Sequence, residues 1–255
     1  MTIRLLIVFY VLTLNIFAQS NLDKGLEYYN QRHENCIEDR ADPVYITKAI
    51  SFFENCLNDQ KTKEEASLYL LKSYYFKAKF TESDKDKKKE ILKKGKGLGQ
   101  DLIEKNPESV DYIYWYLVNL GSWAEVYGVL SAAREGVADK MRTYSKKIIE
   151  MDPNYEDGAG YFMLGAVHYK SPYIPFLLSW PSNSDAIKWL ELAYNTGESK
   201  IAQAVYLAMA YKKDGQKNKA IEFLDKVMSL SPSSEYFASD WEWIKKAKIL
   251  SLEYK

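Results

Sequence analysis

The sequence holds little with which to do metal or thiol chemistry: two cysteines, Cys36 and Cys56, and two histidines, His33 and His168, in 255 residues. That inventory excludes an ordinary zinc or transition-metal site, which draws three or four ligands from these residue types. It also excludes a disulfide-stapled scaffold. An excess of charge of either sign is missing as well, since Lys+Arg and Asp+Glu both number 35. Removing Arg4 with the N-terminal segment leaves 34 basic against 35 acidic groups, so no broad field exists for nucleic acid or anionic lipid. Glycine (12) and proline (7) are sparse, and no segment alternates apolar and polar residues as a half-buried strand does. What remains is rich in apolar and aromatic residues, with 21 Tyr, 10 Phe and 6 Trp, which suits helices packed through aromatic side chains.

Residues 1–18 combine a short basic start with an apolar run, Leu5 to Leu14, that ends on Ala18. Such a run is short for a membrane span and reads as a secretory signal peptide cleaved after Ala18, leaving 19–255 as one helical domain, with an uncleaved membrane anchor as the alternative. No cysteine follows the run, so a lipoprotein is not expected. The expectation is a periplasmic or secreted protein, soluble after cleavage. Cys36 and Cys56 are expected at opposite ends of an antiparallel helix pair, beyond disulfide reach.

The stretch Ala204 to Pro232 is one complete helix-turn-helix unit. Leu207, Ala208 and Tyr211 share a face of a first helix, and Ala208 is small enough for close approach of a second. Asp214-Gly215 supplies the turn, Ala220, Leu224 and Val227 repeat along the second helix, and Pro232 lies beyond it. Gly165 and His168 occupy the places of Ala208 and Tyr211 in an earlier unit whose second helix carries Ala186, Leu190 and Ala193. There an insertion with Pro172, Pro175 and Pro181 separates the helices, and Ser182 or Ser184 is available as a cap. Ala49, Phe53 and Cys56 repeat the spacing of Ala220, Leu224 and Val227 near the start. Further helices are expected at about 63–80, 87–105, 109–120, a long one at 123–151, and 240–252. Gly95, Gly97 and Gly99 read as helical residues permitting tight contact, since no strand precedes them and no Gly-Lys-Ser/Thr follows. The fold class is all-α: tetratricopeptide-like antiparallel helix pairs stacked into a compact superhelical array.

The order of Tyr114–Leu130, Lys147–Pro172 and Trp180–Ala193 resembles the T component of TRAP-type dicarboxylate transporter systems. More distantly it is similar to the regulator-of-microtubule-dynamics proteins, which share the Trp-rich helix, the Asp-Pro stop and the Pro-Ser-plus-Ala helix. The first likeness implies a periplasmic scaffolding protein that associates with a substrate-binding subunit, shelters an apolar or organic-acid ligand, and forms a homo-oligomer. Members of that family are commonly lipoproteins, and this chain departs there.

No catalytic or metal-ligating set and no cofactor emerges from the residues. Any two of the 35 carboxylates could meet as in an all-helical carbohydrate-active enzyme, yet nothing singles out a pair. His168 reads as a packed replacement for the repeat's aromatic residue. The candidate ligand- or partner-binding residues are aromatic: Tyr112, Trp115, Tyr116, Trp123 and Tyr127 on one stretch, and Tyr173, Phe176 and Trp180 in the proline-broken insertion. Core filling competes for each of them, but large rings with polar tips also suit a binding surface. The reading is a non-enzymatic binding or scaffolding subunit. The alternative is a tetratricopeptide adaptor for a peptide or protein of an envelope assembly.

Overall fold

A computed structural model describes residues 20–172, 180–198 and 200–255. The proposed leader, 1–18, and the insertion residues Tyr173 and Phe176 lie outside the described residues. Among the described residues twelve α-helices follow one another: α1 (20–30), α2 (Pro43–Cys56), α3 (Lys63–Phe76), α4 (Lys85–Lys105), α5 (Val110–Tyr127), α6 (Val129–Arg134), α7 (Val137–Met151), α8 (Ala159–Lys170), α9 (Asn183–Thr196), α10 (Ile201–Lys213), α11 (Lys217–Met228) and α12 (Phe237–Tyr254). A π-helical turn, Lys77–Thr81, widens the end of α3, and a 3-10 turn, Tyr155–Asp157, precedes α8. No strand occurs among the described residues, where the one pairing is an isolated bridge between Ile37 and Arg40.

Local chemistry explains the helix starts. Asp42 accepts from the Val44 amide at 2.9 Å with Pro43 at the first helical position, Asp84 accepts from Asp86 and Lys87, and Ser109 from Tyr112. Ser182, one of the two caps offered by the sequence, accepts from Asp185 at 3.0 Å and opens α9. The repeat at 204–232 is α10 and α11 joined by Gly215 at φ 81°, although α11 ends at Met228, four residues before Pro232. The long helix expected over 123–151 is three pieces: α5 runs on to Tyr127, and Gly128 (φ 91°) and Gly136 (φ 62°) set off the short α6. Left-handed backbone at those two residues is open to glycine at no steric cost, so the chain breaks there.

Packing follows the small-residue seams. A side chain built on Gly95 would come within 2.0 Å of Asn119 Oδ1, and one on Gly99 within 3.1 Å of the Tyr116 Cα, so α4 and α5 meet closer than alanine allows. Gly165 likewise faces Leu190 across α8 and α9. Ala208, Ala220, Leu224 and Val227 are buried in a core shared by α9 to α12. Leu71, Ile113, Leu117, Leu120 and Ile148 form a second core, and Ile46, Ala49, Phe53, Cys56 and Phe80 a third. Cys36 and Cys56 form no disulfide, and burial raises both thiols.

The last helix does more than cap the array. Ala238 of α12 is buried in the core built by α1 to α3. Arg32 and His33 meet the Glu235 carbonyl at 2.8 and 3.0 Å, and Lys245 pairs with Asp39 at 2.7 Å and Glu38 at 3.1 Å. First and last elements therefore touch, and the array closes around an internal space.

Candidate binding hollow

Helix α5 has two aromatic faces, separated by helical spacing. Tyr112, Ile113, Tyr116, Asn119, Leu120 and Trp123 are buried against the protein core. Tyr114, Trp115, Val118, Gly121, Ser122 and Glu125 line a hollow of about 1200 Å³. Its wall also includes the α1 end (Tyr29, Arg32, His33), α3 and its π turn (Tyr75, Lys79), α6 and α7 (Ala132, Met141), the 3-10 turn (Glu156), α8 (Phe162, Lys170), Trp180 ahead of α9, α10 (Gln203, Tyr206) and α12 (Trp243).

Its aromatic side chains are mostly tied to one another. Tyr114 stacks edge-on to Trp115 and Tyr155, Tyr75 tilts against Trp115, and Tyr206 contacts Phe162, Tyr169 and Trp243. Burial pushes the phenols of Tyr29 and Tyr75 up to about 12 and that of Tyr114 well above its ordinary value. These hydroxyls are therefore neutral hydrogen-bonding groups at physiological pH.

A compensated charge network crosses the same wall. Lys79 reaches Glu242 at 2.9 Å and Glu125 at 3.9 Å, and Lys170 pairs closely with Glu125. Burial by itself would pull Lys79 and Lys170 down, yet neighbouring tyrosines and carboxylates hold both ammonium groups above their usual range. Burial would likewise raise Glu125, but Lys170 and Lys79 keep it below the ordinary carboxylate value. Glu125 keeps 47% of its side chain open, and what it opens onto is the hollow. The sequence offers aromatic binding candidates and no catalytic set; the structure adds two ion-paired lysines and their acids. Each of the four reads as an ordinary surface residue by sequence pattern, and they meet only when α5, α8, α12 and the π turn assemble.

Of the aromatic residues singled out in the sequence, Trp115 and Trp180 line the hollow. Tyr112 and Tyr116 lie in the core, Tyr112 donating to the Glu64 carbonyl at 3.1 Å. Trp123 is buried and stacks on Tyr127 at 4.4 Å with the Lys96 ammonium over its ring, so this pair also faces away from the hollow. Missed by sequence reasoning were Tyr75, Tyr114, Tyr206 and Trp243, because aromatics on both faces of a helix give no sign of which face is open. His168 is buried as expected, with Nδ1 accepting from the Ser182 amide at 3.3 Å and its ring beside Trp180.

Among the described residues, no group of three or more His, Cys, Asp or Glu could hold a metal ion. No described helix is long and apolar enough to cross a membrane.

No curated protein matches the chain. A solved structure with a similar fold is that of a thermophilic TPR protein from Thermus thermophilus. The two agree with a TM-score of 0.59 at 15% identity, over 91% of this chain and 99% of that one. At that identity the likeness establishes the fold, an all-helical tetratricopeptide-like array. The family match falls on the more distant of the two resemblances drawn from the sequence and not on the TRAP T component. The model for regulator of microtubule dynamics protein 1-3 spans residues 31–255, from the end of α1 through α12, and the chain belongs to that family.

Proposed function

We propose that the protein is a non-enzymatic adaptor that grips a segment of a partner polypeptide inside the hollow. One observation carries this reading: a single wall joins large aromatic faces to ion pairs that are already compensated. Rings supply area at low conformational cost, and the network supplies fixed polar contacts, the combination that marks protein-binding surfaces. Its titratable groups are poorly matched to acid–base catalysis, since Glu125 is held ionised between two lysines and the phenols are held neutral. His33, with a pKa lowered to about 4 chiefly by burial, is not poised near neutrality either.

The T-component reading, with a periplasmic substrate-binding subunit and an organic-acid ligand, ranks second. An organic acid needs a cation to pair with: Lys79 and Lys170 are taken by Glu242 and Glu125 and Lys72 lies over Tyr69 and Trp115, which leaves Arg32, bonded to the Tyr29 and Glu235 carbonyls and stacked on the Tyr29 ring. We retain residues 1–18 as an export leader, which N-terminal sequencing of the protein from cells would test.

The adaptor reading is tested with a photo-crosslinking amino acid at Ser122, on the wall, and at Ile249, on the outer surface. Covalent capture of one partner polypeptide from Ser122 alone, lost when Trp115 and Trp180 are both changed to Ser with melting unaltered, is the expected result. A protein that yields no polypeptide adduct, and carries a small molecule in native mass spectrometry, would return the T-component reading to first place.

A further inference from the structure

One cation on the wall of the hollow has no acid of its own. Arg32 follows α1, and two backbone carbonyls fix its guanidinium: Nη1 donates to Tyr29 at 3.1 Å and Nη2 to Glu235 at 2.8 Å. The group lies over the Tyr29 ring at 4.3 Å. A guanidinium carries five N–H donors, so three remain after these two bonds. Nε makes no hydrogen bond among the described residues and is not sealed from water.

The carboxylates of the hollow are engaged elsewhere. Glu156 and Glu235 stand near enough to raise the Tyr29 phenol, yet no carboxylate among the described residues comes within ion-pair distance of the guanidinium. Glu156 accepts from the Tyr236 hydroxyl at 3.2 Å, Asp157 from the Glu198 amide at 3.1 Å, and Asp240 from the Ser233 amide and hydroxyl. Lys72 adds a second cation to the same wall. Its ammonium stands 5.0 Å from the Tyr69 ring and 5.4 Å from that of Trp115, again with no carboxylate at ion-pair distance. Tyr69 meets Tyr29 edge-on at 5.0 Å, so a chain of ring contacts joins the two cations across α1 and α3.

Folding has already oriented Arg32, and a ligand that bonds to it need not order the side chain. A planar fork with unused N–H groups selects a carboxylate, which accepts two hydrogen bonds side by side. We infer that Arg32 receives the carboxylate of an aspartate or glutamate in the bound segment, with Lys72 drawing that acid onto the α1–α3 wall. The inference rests on the adaptor reading given above. Tyr29, Tyr69 and Trp115 line the hollow along the stretch between the two cations, and the residues flanking the acid in a polypeptide would contact that stretch where a free dicarboxylate would not.

The test is selection of displayed random dodecapeptides on the full-length chain, followed by anisotropy measurements with a labelled selected peptide. We expect aspartate or glutamate at one fixed position, and affinity lower on the order of tenfold when that residue is made its amide, the difference shrinking as salt is raised. Arg32→Gln should abolish the difference between acid and amide peptides. Because Arg32 also ties α1 to the loop before α12, Lys72→Gln provides a second variant: it should weaken the acid peptide and leave the amide peptide and the melting temperature unchanged. Selected peptides with no preference for an acid, bound equally by the parent and both variants, would leave the adaptor standing and sink this inference. Failure to select any peptide would sink both. Succinate that displaces the peptide as effectively as unlabelled peptide does would show a small-dicarboxylate site and overturn the assignment to a polypeptide.

Discussion

Three glycines at alternate positions of α4 provide their own control for how tightly the array is packed. A methyl group on Gly97 meets nothing within 4 Å. Gly97→Ala therefore gains only the helix-propensity difference, about 1 kcal/mol, which raises Tm by about 2–4 °C for a chain of this size. The same methyl on Gly99 would sit 2.9 Å from the Tyr116 ring and 3.1 Å from its Cα. Backbone on that side cannot step aside as a flexible side chain would, so overpacking costs about 1–3 kcal/mol against the same propensity gain. On Gly95 the new atom lies 2.0 Å from Asn119 Oδ1 and 2.8 Å from Cγ. Asn119 is fully buried and donates to the Leu71 carbonyl at 3.1 Å and the Trp115 carbonyl at 2.8 Å. Displacing it strains both bonds, at about 1 kcal/mol each, in addition to the overpacking. Urea and thermal unfolding of the three single variants should therefore rank Gly97→Ala above the parent, Gly99→Ala at or below it, and Gly95→Ala lowest. Equal stabilisation of all three would refute the close approach of α4 to α5.

Two further outcomes test other parts of the fold. Ala208→Leu adds three heavy atoms at a fully buried contact of α10 and should destabilise the chain by about 1–3 kcal/mol in urea melts; an unchanged midpoint would refute the placement of that repeat. His33 is held by burial and by Arg32 at a pKa of about 4, below its unfolded value of 6.5, so its contribution is present above pH 6.5 and is lost as pH falls towards 4. His33→Asn should flatten that part of the stability curve, and a curve identical to the parent's would show that the imidazole is not buried as described.

The repeat units were legible because each rests on local chemistry. Ala204 to Pro232 announces its helices through Ala208, Ala220 and Leu224 and its turn through Gly215, and all of these lie within thirty residues. Glycine itself was the ambiguous signal. Gly95 and Gly99 continue a helix because a neighbouring helix presses on them, whereas Gly128 and Gly136 break one and have nothing within 4 Å. Sequence pattern does not distinguish the two situations. The site was less legible still: Lys79 and Glu242 are paired across more than half the chain, and Glu125 joins Lys79 and Lys170 from between them. The choice of Trp115 over Tyr116 as a wall residue depends on the rotation of α5 about its axis, which α4 fixes through Gly95 and Gly99.

That charge network also explains how an aromatic hollow stays open. Rings alone would lower their free energy by closing on one another, since contact between apolar surfaces removes both from water. Closing this wall would instead strip water from Glu125 and from two lysines, and desolvating ion pairs costs more than their attraction returns unless every hydrogen bond is satisfied. Because the π turn, α5, α8 and α12 each contribute one member, the network fixes the spacing of four elements while remaining neutral as a whole.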